Sequence, residues 1–203
     1  EFTVFNPTTL SMNQSPILMQ PPVDMGCTSQ PYKHNPIAFD LDGDSLAFEL
    51  TTPLEGAGAV VPNYSFPNNI GGGNQTLTID PVTGTVTWDS PQVAGEYNLA
   101  FFIKEYRNGV LISKVIRDMQ ITINSCNNRA PILTMMPPVI VQANDTIDFN
   151  VNVNDADGNN IKLTGLGGPL MNNDATFTVT NNSTNSPTGV FTWITDCDNR
   201  QSS

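Results

Sequence analysis

The chain repeats itself. Asn13-Gln-Ser-Pro-Ile-Leu18 returns as Asn128-Arg-Ala-Pro-Ile-Leu133, and Asp40-Leu-Asp-Gly-Asp44 returns as Asp155-Ala-Asp-Gly-Asn159, both 115 residues further on. A third pair, Thr83-Gly-Thr-Val-Thr-Trp88 and Thr188-Gly-Val-Phe-Thr-Trp193, is offset by 105, so the second copy has a shorter middle. One unit has been duplicated with its linker and its loop together. Fixed periods of this kind belong to arrays of modules, which bind or span more often than they catalyse.

Strand signals fill each copy. Leu46–Leu50, Leu77–Asp80, Val86–Trp88, Tyr97–Ile103, Met119–Ile123, Phe149–Val153 and Phe177–Val179 are β-branched or aromatic, several alternating strictly with polar residues. Turn formers separate them: Asp80-Pro-Val-Thr-Gly84, Gly71-Gly-Gly-Asn74, Asn181-Asn-Ser-Thr184 and, between two strand patterns, the hairpin signal Arg107-Asn-Gly109. No segment carries a 3.6-residue apolar period. The expected fold class is therefore all-β, as tandem antiparallel β-sandwiches of the Ig-like type. Prolines in the linkers Met12–Pro16 and Cys126–Pro131 start the next module's first strand and stiffen the joint. The expected division is the end strand of a preceding module over 1–12, a complete sandwich over 13–127, and the front of a second over 128–203. After Trp88 the first copy runs another 40 residues to Asn128, whereas only ten follow Trp193, so the second sandwich reads as incomplete. Truncation is the simpler expectation; the alternative is completion by strands from outside. With Phe2–Phe5 reading as the end of a strand and no leader at Glu1, the chain is expected to be an excerpt.

Charge narrows the partners. Against 19 acidic residues stand eight Lys and Arg, scattered, and the net charge is -11. Phosphate backbones are poor partners for such a surface, and no apolar run is long enough for membrane insertion. The acid excess suits a protein loaded with cations, although solubility alone is the plainer account. Of three cysteines, Cys27 lies near the start of the first repeat and Cys126 at its end, where the first and last strands of a sandwich run side by side. A Cys27–Cys126 disulfide is one reading and would fit an exported protein; three buried thiols is the other. Cys197 has no evident partner.

The acidic loops carry what chemistry there is. Carboxylates on alternate residues around a glycine allow several oxygens to converge on one hard cation, calcium above all. Asp40, Asp42 and Asp44 are the candidate ligands in the first copy, completed by linker Asn13 and strand-end Glu105. In the second copy the candidates are Asp155, Asp157 and Asn159, with Asn128 and linker carbonyls. Neither loop is an EF-hand, because the glycine falls fourth and the twelfth positions are Thr51 and Leu166. An acidic turn that merely bonds to its own backbone is the competing account.

Catalytic templates fail. Phe39–Leu46 resembles the first motif of haloacid-dehalogenase-type phosphatases, but that chemistry needs a parallel α/β sheet, and the motif recurs inside a strand-rich repeat. The sole histidine, His34, sits before a strand with no serine or cysteine motif near it, and no Cys/His spacing suits zinc. Gly71-Gly-Gly73 lacks the Lys-Ser/Thr of a phosphate loop. Trp88 and Trp193, at one repeat position, are expected core anchors. The chain is not expected to be an enzyme.

Asn128-Arg-Ala-Pro131 followed by the Asp-Ala-Asp loop resembles the linker and calcium loop of cadherin-like domains. More specifically, His34-Asn-Pro, Phe39-Asp, Asp42-Gly-Asp-Ser-Leu46, Ile79-Asp-Pro-Val-Thr-Gly84, Trp88-Asp-Ser-Pro91, Gly95-Glu-Tyr97, Glu105-Tyr-Arg-Asn-Gly-Val110 and Arg117-Asp-Met-Gln120 are similar to tandem modules in large surface proteins of gliding bacteria, which end in gliding-motility or type IX secretion sorting domains. The resemblance implies an extracellular, calcium-stiffened array acting at the cell surface as adhesin or filament. Its partners would be neighbouring modules of a longer chain, surface glycans or other cell-surface proteins. It places the metal on Asn13, Asp40, Asp42 and Glu105, and on Asn128, Asp155 and Asp157. The Asp-Arg-Glu corner that lets cadherin junctions hold three ions is missing near Pro91, so one ion per junction is expected. The rival expectation is a carbohydrate-binding module of a glycan-degrading enzyme, with Tyr64, Phe66 and Tyr106 as its aromatic platform.

Overall fold

In the computed structural model, residues 13–134, 136–137, 139–172 and 174–197 are described; the strand expected within 1–12 lies outside them. The chain divides between Cys126 and Asn127 into two compact units.

The first unit opens with β1 (Ile17–Leu18), β2 (Val23–Cys27), β3 (Tyr32–His34), β4 (Ala38–Phe39) and β5 (Ser45–Thr51). A small ribbon follows, β6 (Leu54–Glu55) with β7 (Ala59–Val60), then β8 (Leu77–Ile79) and β9 (Val86–Trp88). The unit closes with the long hairpin β10 (Gly95–Arg107) and β11 (Val110–Asn124). One layer is the sheet β2-β11-β10-β5; the other consists of β3-β9-β8 and the pair β1-β4. This is the expected β-sandwich. The hairpin dominates its core, supplying seven of the eleven residues in the central cluster: Tyr97, Leu99, Phe101, Ile103, Met119, Ile121 and Ile123. Every second residue of β10 therefore points inward, and each large apolar side chain so buried stabilises the fold by about 1.5–3 kcal/mol. The inward series Leu99, Phe101, Ile103 ends on a charged residue, Glu105, which is also 0% exposed.

Two turns set these strands. Asn108 and Gly109 both take positive φ (51° and 74°), the combination that a tight two-residue hairpin between right-twisted strands requires. In the Asp80–Gly84 turn, the Asp80 carboxylate accepts the N–H groups of Val82 and Thr83, and Gly84 sits at φ 70° with the Phe48 ring 2.8 Å from where a Cβ would be.

One expectation needs correcting: the sandwich is not wholly antiparallel. β2 runs parallel to β11, with Val23 opposite Gln120 and Cys27 opposite Asn124. The first strand is split, because Pro21 and Pro22 offer no amide to a ladder; β1 stays with β4 while β2 crosses to the other layer beside the last strand. That crossing places Cys27 against Cys126, and the expected disulfide forms, with Cα atoms 5.4 Å apart across 99 residues of sequence.

The second unit is a single antiparallel sheet, ordered β12-β13-β15-β14, from β12 (Ile132–Thr134), β13 (Thr146–Asn154), β14 (Ala175–Thr180) and β15 (Thr188–Ile194); a one-turn helix α1 (Gly168–Met171) precedes β14. The sheet reproduces one layer of the first unit residue for residue. Ile17 faces Phe39 as Ile132 faces Asn154, and Tyr32 faces Trp88 as Ile147 faces Trp193. The described residues of this unit hold no counterpart of the β10–β11 hairpin. Among its described residues the buried apolar side chains are few, Val151, Val153, Ala175 and Pro187. No helix among the described residues is long and apolar enough to cross a membrane.

Candidate functional site

Loop Asp40–Asp44 joins β4 to β5, with Gly43 at φ 79° making the bend. Its first carboxylate organises the loop: Asp40 Oδ1 accepts the N–H of Asp42 at 2.8 Å and that of Asp44 at 3.3 Å. The other oxygen, Oδ2, is buried with no partner. Asp42 ties the loop to the linker, its Oδ2 accepting the Gln14 N–H at 2.6 Å and its Oδ1 the Gln14 side-chain amide at 3.3 Å. Asp44, only 3% exposed, receives a two-pronged guanidinium: Arg107 Nε donates to Oδ1 at 2.7 Å and Nη2 to Oδ2 at 2.5 Å. The same Nη2 donates to Asn13 Oδ1 at 2.8 Å and stands 3.6 Å from Asp42 Oδ2.

The three aspartates each bring a carboxylate oxygen within 4.8 Å of the others. Glu105, from the end of β10, joins them electrostatically. Neither of its oxygens has a partner at hydrogen-bond geometry. Burial pushes its carboxyl above the ordinary range; the Asn13 and Ser113 side chains partly offset this, while the charges of Asp40 and Asp44 add to it. Burial likewise raises Asp40, against the two backbone N–H groups and with the charges of Asp44 and Asp42. Four carboxylates thus face one guanidinium, and a buried carboxylate without a donor is costly unless a cation or a proton meets it. The donors are all oxygens: Asp40 Oδ2, both oxygens of Glu105, Asp42, Asp44 and the Asn13 carbonyl. Histidine and cysteine are absent from this cluster. Such a set suits a hard dication, calcium or magnesium, rather than zinc.

The second loop folds alike but is charged differently. Asp155 Oδ1 accepts the N–H groups of Asp157 (2.9 Å) and Asn159 (3.0 Å), and the Arg129 N–H reaches Asp157 Oδ2 at 2.6 Å. Asn159 stands where the first loop has Asp44, and its amide donates to Asn128 Oδ1. Arg129 lays Nη2 and Nε on Asp157 Oδ1, at 2.7 and 3.0 Å, and these bonds with its backbone N–H hold the Asp157 carboxyl below the usual range. Asn128, Asp155, Asp157 and Asn159 are therefore brought together. Their two carboxylates already share one arginine, and among the described residues only the first loop gathers three acids.

Gln14, Arg107 and Arg129 were not among the residues expected from sequence. Arg107 follows Glu105 by two positions, which puts both on one face of β10. That spacing was the one signal for it.

The other candidates are packed. His34 lies within β3 rather than before a strand, 6% exposed, with Nδ1 2.8 Å from Asp24 Oδ2. Tyr64 and Phe66 meet edge to face (5.2 Å, 76°), the Tyr64 hydroxyl donates to the Asn98 carbonyl, and Phe66 packs on the core. Two rings so crossed present no common plane to a sugar, and Tyr106 sits apart on β10, opposite Ser45. No family model matches the chain, and no curated protein matches it.

Proposed function

We propose that the chain is a non-enzymatic structural and adhesive segment of an exported cell-surface adhesin or filament, in which calcium ties the linker of a sandwich module to its acidic loop. One observation carries the reading. Linker residues Asn13 and Gln14 meet the aspartate cluster of loop Asp40–Asp44, and the fully buried Glu105, which feels the charges of Asp40 and Asp44, receives no hydrogen bond of good geometry on either oxygen. A dication there would bridge three separate pieces of chain and neutralise carboxylates that otherwise repel. The linker's exit direction would then be fixed by the ion, which is a mechanical role.

Asn13, Asp40, Asp42, Asp44 and Glu105 would hold the ion. The Cys27–Cys126 disulfide supports an oxidising, extracellular setting. Similarity of the Glu105–Val110 string and its neighbours to modules of gliding-bacterial surface proteins supports the array context, with neighbouring modules of the same chain, surface glycans or cell-surface proteins as partners. The test is calorimetric titration of calcium into the metal-stripped chain beside Asp40→Asn. Saturable binding that the variant loses supports the reading; absence of binding in the parent protein rejects it.

A further inference from the structure

We propose that Arg107 is the site's own competing cation: a dication takes the first loop only as the guanidinium leaves Asp44, so this arginine sets the calcium concentration at which the joint stiffens. The proposal rests on the calcium reading above and goes beyond it to the regulation of the site.

The geometry is specific. Arg107 occupies both oxygens of Asp44 and the carbonyl oxygen of Asn13, three of the oxygens the cluster can offer. No hydrogen bond of good geometry reaches Asp40 Oδ2 or the two oxygens of Glu105, beside which stand only the Asn13 and Ser113 side chains. Asp42 already accepts twice from Gln14. Calcium takes six to eight oxygens, so the Asp40 and Glu105 oxygens alone fall short, and the missing ligands are those Arg107 holds. Sharing Asp44 between guanidinium and metal would also place like charges against each other in a water-poor corner.

Release is feasible. Arg107 is the last residue of β10, and its side chain keeps 16% of its surface open to solvent. Glu105 behind it is fully buried, so the charge that remains when Arg107 departs is what a dication would meet.

The second loop shows the other end of the same balance. There Arg129 takes Asp157 with Nε and Nη2, Asn159 replaces the third acid, and one guanidinium faces two carboxylates. The first loop has four carboxylates for its one guanidinium, an excess of three where the second loop has an excess of one.

The test is calcium calorimetry on the full metal-stripped chain, with Arg107→Gln and Arg107→Lys beside the parent. Arg107→Gln should bind at least tenfold more tightly. Arg107→Lys, which keeps the charge but loses the fork, should fall between them. In ¹⁵N spectra the Arg107 Nε–H resonance should shift out of its carboxylate-bonded position as calcium saturates. Binding by Arg107→Gln alone would also support competition. Unchanged or weaker affinity in a folded Arg107→Gln, or an Nε–H resonance that does not move at saturation, overturns the proposal while leaving the calcium site standing. Failure of parent and Arg107→Gln alike to bind overturns both.

Discussion

The Gln14 backbone N–H donates to Asp42 Oδ2 at 2.6 Å. The repeat copies that bond, Arg129 N–H to Asp157 Oδ2, at the same distance, so a linker-to-loop tie is a constant of the module while the surrounding charges vary. Hydrogen bonds to a charged group contribute about 1.5–3 kcal/mol when shielded and less at the surface. In Asp42→Ala the Gln14 amide should therefore exchange with solvent about tenfold faster, and Asp157→Ala should do the same to Arg129. The check is amide hydrogen exchange by NMR in metal-free buffer; protection that survives the substitution would mean that something other than the carboxylate holds the linker.

Acid should first stabilise the metal-free first module. Glu105 and Asp40 are raised by burial above their ordinary 4.5 and 3.8, so the folded state prefers both protonated. Each costs nothing below its unfolded value, begins to destabilise as pH rises through it, and costs most above the raised folded value. Asp24 acts in the opposite sense. Burial would raise it, but hydrogen bonds from His34, the Met25 N–H and Tyr32 bring it below 3.8, and that stability is lost as pH falls through the lowered value. Tm of the metal-free protein should rise as pH falls through the raised values of Glu105 and Asp40, and fall again below about pH 3.8 as Asp24 protonates. Glu105→Gln should raise Tm at pH 7 and flatten the upper limb. A scanning-calorimetry series in which metal-free Tm climbs from pH 5 to pH 7 would contradict the assignment.

Reduction should strike one unit only. The Cys27–Cys126 bridge closes a loop of 99 residues and lies within the first unit. A loop of that size is worth about 4.7 kcal/mol in the chain-entropy treatment, or roughly 15–30 °C for a domain near a hundred residues. Under dithiothreitol, or in a Cys27→Ala/Cys126→Ala variant, the first module's transition should drop by that order while the second module's stays in place. Equal shifts in both would show that the two unfold together.

The longer strands were legible because their alternation is written in consecutive residues: Tyr97, Leu99, Phe101 and Ile103 announce the inward face of β10 without reference to anything distant. β1, β3 and β4, two or three residues each, are too short to show a period, and the sheet switch at Pro21-Pro22 depends on a partner almost a hundred residues away. The site divides the same way. Alternating aspartates and the glycine are local, and so is the turn they make. Which oxygen each aspartate spends on its own backbone is decided by the fold, and so is the meeting of Arg107 with Asp44 across 63 positions. The weaker charge of the second loop could be read directly, since Asn159 replaces the counterpart of Asp44.

Trp88 and Trp193 should report two unlike environments from one repeat position. Trp88 is fully buried, donates Nε1 to Gln75 Oε1 at 3.0 Å and meets Tyr97 edge-on at 4.9 Å. Tyr97 belongs to β10, which has no counterpart among the described residues of the second unit. Trp193 accordingly keeps partial exposure, with Phe191 at 6.5 Å as its aromatic neighbour. In a Trp193→Phe variant the remaining Trp88 should emit toward the blue and resist acrylamide; in Trp88→Phe the remaining Trp193 should emit further to the red and quench readily. The second unit buries far less apolar surface, so the Trp193 signal should also be lost at a lower urea concentration than the Trp88 signal. Coincident urea transitions, or equal quenching of the two indoles, would show that the aromatic face of the β13–β15–β14 sheet is covered in solution.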